Sequence, residues 1–125
     1  MDINDIKVEY YFSLKEFECP CCKRVMLHPD LLDKLVKLRH AYGEPLIINS
    51  GYRCISYNKK VGGVPGSYHL FGMAADIYIR GIIPKDLAIQ ADLVGFSGIG
   101  LYNTFIHVDV RPLKERWDYR SWLII

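Results

Sequence analysis

The stretch "SYHLFGMAAD", residues 67–76, places His69 and Asp76 on either side of Gly72, and a second histidine, His107, stands far downstream in "FIHVDV". Two imidazoles and a carboxylate are a common three-ligand set for hydrolytic zinc, with the fourth position left to water. Alternation in "FIHVDV" sends Ile106, Val108 and Val110 to one face and Phe105, His107 and Asp109 to the other. His69, Asp76 and His107 converge if the strands carrying Asp76 and His107 are close in one sheet. Gly72 would let the backbone bend between the first two. Spacing alone fits a hydrogen-bonded His and Asp pair equally well.

The elements that must position these residues are legible in outline. "HPDLLDKLVKLRHAYGEP" predicts a helix, with Pro29 at its first position, Asp30 in its first turn, and Gly43 and Pro45 ending it. Leu31, Leu35 and Leu38, with Leu32 and Val36, form its apolar stripe. His28 and His40 flank it and are read as surface or capping histidines. "LIINSGYR" predicts a strand entering a turn, and "YNKKVGGVPGS" a loop after a short helix. In "AADIYIR", Ala75, Ile77 and Ile79 face one way while Asp76, Tyr78 and Arg80 face the other. Residues 84–94 predict a second amphipathic helix stopped by Gly95, followed by strands at "GIGLY" and "FIHVDV". Strands joined by hairpins and covered by helices predict an α+β fold with an antiparallel sheet and helices packed on one side.

Composition narrows the function classes. A chain of 125 residues, half of them hydrophobic, is expected to fold as one domain around a single core. A net charge of +2 without a basic run gives no reason to expect a nucleic-acid partner. No apolar stretch approaches the roughly 20 residues a membrane-spanning helix needs, so no membrane insertion is expected. The start, "MDINDIKVEYYFSLKEFE", does not have the form of a secretory signal, so synthesis in the cytoplasm is expected. Cys19, Cys21, Cys22 and Cys54 leave three readings open: free thiols, a disulfide, or a structural metal that uses the Cys-x-x-Cys pair Cys19 and Cys22 with Cys54. The end, "RWDYRSWLII", either caps the core or contacts another subunit.

"SYHLFGMAAD", with "SGYR" upstream and "FIHVDVR" downstream, resembles the zinc D-Ala-D-Ala carboxypeptidases. That family shares its fold with phage L-alanyl-D-glutamate endolysins, D-Ala-D-Ala dipeptidases and the Hedgehog signalling domain. The resemblance runs from about Phe17 to about Arg111. It implies one zinc peptidase domain over residues 1–125, with His69, Asp76 and His107 as ligands of a single catalytic Zn2+. It also implies that Arg53 points into the cleft to bind a substrate carboxylate or a developing oxyanion, and that Ser67 binds substrate or orients a ligand.

One position departs from the family pattern. Many relatives carry Glu-x-x-His, with the glutamate as the base that activates water; here Thr104 stands in its place. Asp109 is the nearest replacement, either as that base or as a buttress for a ligand imidazole.

The implied substrate is a peptidoglycan stem peptide, cut first at D-Ala-D-Ala and alternatively at L-Ala-D-Glu. A wall-cleaving enzyme without a signal would suit a bacteriophage lysis protein released through a separate pore. The missing glutamate keeps a non-catalytic, zinc-stabilised binding module open as a third reading.

Overall fold

The computed structural model describes residues 2–121. A 14-residue helix, α1 (Pro29–Tyr42), begins at His28, whose Nδ1 accepts the Asp30 N–H at 3.1 Å, and ends at Gly43 in the left-handed conformation, φ 65°. Strand β1 (Ile47–Ser50) follows, then α2 (Ile55–Lys60), the 3-10 turn Tyr68–Phe71, and β2 (Ala74–Tyr78). Helix α3 (Pro84–Val94) leads into β3 (Gly98–Leu101), β4 (Ile106–Asp109) and β5 (Glu115–Asp118).

The five strands lie in the order β1-β2-β4-β3-β5. Neighbours from β1 to β3 are antiparallel, while β5 runs parallel to β3 at the edge. The expected antiparallel α+β sheet therefore gains a parallel edge strand. "ERWD" carries no hydrophobic alternation, so no strand signal marks it in the sequence. Of the terminal stretch "RWDYRSWLII", residues 122–125 lie outside the described residues.

One face of the sheet is apolar. Ala75, Ile77 and Ile79 from β2 and its end, Ile99 from β3, and Ile106 and Val108 from β4 meet Leu31, Leu35 and Leu38 of α1 and Leu87 and Ala91 of α3. The predicted helix stripes thus cover the predicted strand face. Burying each leucine side chain contributes about 1.5–3 kcal/mol.

The other face carries the polar residues in register. Ser50, Asp76, His107, Gly100 and Trp117 are successive cross-strand partners from β1 to β5. Ala74, Asp109, Gly98 and Glu115 form the next row. Both rows need their glycines. A Cβ at Gly98 would overlap the Asp109 carboxylate, and one at Gly100 would overlap the Trp117 ring.

Candidate metal centre

Asp76 and His107 are direct partners across β2 and β4, so the two predicted strands are neighbours and their polar faces coincide. His69 reaches them from the 3-10 turn, which Ser67 caps by accepting the His69 N–H at 3.3 Å. Gly72 ends that turn with φ 68°. Its Cβ would lie 2.6 Å from the Met26 backbone, and its carbonyl accepts the His28 N–H at 2.8 Å. A left-handed turn at a close crossing is a position for glycine.

Each of the three side chains is held from behind, leaving one donor atom aimed inward. His69 Nδ1 lies 2.7 Å from the Gly51 carbonyl, which can only accept, so that nitrogen carries the proton and Nε2 is free. His107 Nε2 lies 2.7 Å from Asp109 Oδ2, leaving Nδ1. Asp76 Oδ2 accepts from Arg53 at 2.9 Å, leaving Oδ1. His69 Nε2 stands 3.3 Å and His107 Nδ1 3.2 Å from that same Oδ1. The three atoms all lie within 4.8 Å of one another. Each imidazole therefore faces an acceptor at both nitrogens. That arrangement suits a cation in place of the second protons, and the donor set is one that fits zinc.

Burial and charge agree with this reading. His69 is 2% exposed, and Asp76 and His107 are each 8% exposed. Burial would raise the Asp76 pKa, but hydrogen bonds from His107 and His69 hold its carboxyl well below the usual carboxylate range. Burial would lower the His107 pKa, yet hydrogen bonds to Asp109 and Asp76 raise it.

Asp109 lies behind His107 rather than in the cleft. It is fully buried. Oδ2 accepts from His107 Nε2 and from Arg111 Nη2 at 2.6 Å, while Oδ1 accepts the Arg111 backbone N–H at 3.1 Å and Nε at 2.9 Å. Of the two roles read from the sequence, base and buttress, these contacts match the buttress. Both oxygens are occupied by these hydrogen bonds.

Arg53 lines the cleft. Nε donates to Ser50 Oγ at 3.0 Å, Nη1 to Asn58 Oδ1 at 3.2 Å and Nη2 to Asp76. A guanidinium has five N–H groups, so two remain beyond these three bonds. The cleft, about 370 Å³, is lined by Arg53, Ser67 and the three inward-facing ligand candidates, with Tyr102, Phe105 and Tyr119 among its walls. Thr104 is exposed in the β3–β4 turn.

Four contributors carried little sequence signal. Gly51 supplies a carbonyl to His69, and the Phe17 backbone crosses so closely there that a Cβ on residue 51 would lie 2.7 Å from the Phe17 Cα. Asn58 steadies Arg53. Arg111 clamps Asp109, and the Asp-x-Arg spacing along a strand was the one available hint. Trp117 packs on His107 with ring centroids 5.0 Å apart.

Comparison with known proteins shows this sequence to be similar to peptidases. The profile of the family described as Peptidase M15 matches residues 10–109. The chain is 32% identical over 98 residues to the peptidoglycan L,D-endopeptidase MepK of Escherichia coli K12, covering 71% of this chain and 54% of that protein. It is 30% identical over 98 residues to the probable peptidoglycan L,D-endopeptidase MepK of Haemophilus influenzae, covering 70% and 53%. It is 44% identical over 45 residues to the zinc D-Ala-D-Ala carboxypeptidase of Streptomyces albus G, covering 35% and 18%. The chain spans about half the length of the MepK proteins it matches.

Proposed function

The chain belongs to the peptidase M15 family, and from that premise we propose that it is a zinc-dependent peptidase that hydrolyses an amide joining an L- to a D-residue in peptidoglycan peptides. The carrying observation is the convergence of three donor atoms, His69 Nε2, Asp76 Oδ1 and His107 Nδ1, at a cleft that Arg53 also lines. Zinc, when bound, lowers the pKa of water to about 7 and polarises a carbonyl.

The rest of the work falls to the chain. Gly51 and Asp109 fix the tautomer and orientation of the two imidazoles, which raises their basicity as ligands. Arg53 neutralises the second oxygen of Asp76 and has N–H groups left for a substrate carboxylate or a developing oxyanion. Ser67 holds the turn that carries His69. Tyr102 and Phe105 stack with centroids 4.6 Å apart and give the cleft an apolar wall for a peptide backbone to lie against. Asp109 orients His107 and takes no proton from the attacking water.

The L,D bond is preferred because the relatives named as L,D-endopeptidases align over twice the length of the carboxypeptidase match. The second reading, removal of the terminal residue from D-Ala-D-Ala, is favoured by Arg53, since a forked cation beside the metal-ligand candidates suits a chain-end carboxylate. Synthetic stem peptides separate the two. With zinc-loaded protein, mass spectrometry should find cleavage at an L,D amide in a peptide whose C-terminus is amidated. Release of only a terminal alanine, abolished by amidation, would assign the carboxypeptidase instead.

A further inference from the structure

The four cysteines sit apart from the His and Asp donors, and the peptidase reading leaves them unused. Cys19 is fully buried, and Cys19, Cys22 and Cys54 bring their Sγ atoms within 4.8 Å of one another. Cys19 Sγ and Cys54 Sγ are 3.7 Å apart. Two thiolates on one tetrahedral zinc, each at about 2.3 Å, stand about 3.8 Å apart, whereas a disulfide would hold them at about 2 Å.

The backbone around them is shaped for the same purpose. Cys19 N–H donates to the Arg24 carbonyl at 2.8 Å and Lys23 N–H to the Cys19 carbonyl at 2.9 Å, closing a tight loop around "CPCC". Lys23 adopts φ 63°, the one non-glycine residue with positive φ among the described residues. Such a conformation persists where surrounding contacts over-determine it. Cys54 caps α2, its sulfur accepting the Tyr57 N–H at 3.4 Å.

We propose that Cys19, Cys22 and Cys54 bind a second, structural metal ion of the zinc class. The ion ties the segment before α1 to the residue that follows Arg53. Tyr52 N–H already donates to the Phe17 carbonyl at 2.9 Å and Arg53 N–H to the His69 carbonyl at 3.1 Å. The thiolate site thus fixes the base of the Arg53 side chain and, through Gly51, the turn that holds His69.

The test is metal content of the full chain, purified anaerobically with reductant and zinc, together with its cobalt spectrum. The wild type should carry two zinc ions, the Cys22→Ser and Cys54→Ser proteins one, and the His69→Ala/His107→Ala protein one. Cobalt-loaded wild type should show the intense near-ultraviolet charge-transfer band of thiolate ligation. That band should persist in the double histidine variant. Absence of the band in wild type overturns the proposal without requiring any variant to fold. So does a Cys19–Cys54 disulfide found by peptide mapping, or unchanged metal content in the cysteine variants. The outcome is independent of hydrolysis: an inactive protein that keeps the thiolate band would sink the peptidase reading alone.

Discussion

His107 is gripped on both ring nitrogens, by Asp76 Oδ1 on the cleft side and by Asp109 Oδ2 behind. Removing the rear charge should therefore act through the metal. Asp109→Asn is expected to weaken zinc binding about 10–100-fold. Most of kcat should return at saturating zinc. Titrating zinc against activity checks this, and a low kcat at full zinc occupancy would restore Asp109 as the base. Arg53→Lys, assayed at saturating zinc, should raise KM about tenfold or more, since a point charge replaces a fork that bridges Ser50, Asn58 and Asp76. An unchanged KM would remove Arg53 from substrate binding. The donor trio was legible because residue type and strand face are sequence properties. The role of Asp109 was not. Its direction depends on Arg111 folding back beside it and on the space above Gly98, and neither follows from alternation.

The sheet rows make the site a property of strand register. Gly98→Ala places a methyl where the Asp109 carboxylate sits, so it should cost about 1–3 kcal/mol as overpacking. Thermal melts should fall by several degrees, and zinc affinity should drop with them as Asp109 is pushed off His107. A melt unchanged within error would contradict the registered packing. Helices α1 and α3 and strands β2 and β4 carried clear periodic signals, because each buries one face. Strand β5 did not, being a charged edge whose place is set by Trp117 filling the gap over Gly100. The 3-10 turn around His69 was likewise visible only as a glycine and a serine at the right places.

Across the whole molecule, protons and a bound zinc ion would compete for the pocket of His69, Asp76 and His107, which predicts opposite pH trends. The His107 pKa is raised on folding, so its contribution to stability is present below about pH 6.5 and is lost as pH rises through the raised value. The metal-free protein should lose that contribution as pH rises above about 6.5. Asp76 and Asp109 are lowered, so their contribution is present above the ordinary 3.8 and fades as pH falls through their folded values. Zinc-loaded protein should gain stability from pH 6 to pH 8, because neutral imidazole is the ligand. Calorimetry of both forms reads the difference, and parallel curves would contradict the shared pocket. The central claim is hydrolysis that depends on this metal centre. Its most direct test is digestion of purified peptidoglycan, followed by mass spectrometry, using zinc-loaded protein, chelated protein and the His69→Ala variant. Fragments cut at an L,D bond by the zinc-loaded protein alone are the expected result. Intact peptidoglycan despite stoichiometric bound zinc, or equal cleavage by all three samples, would contradict the account.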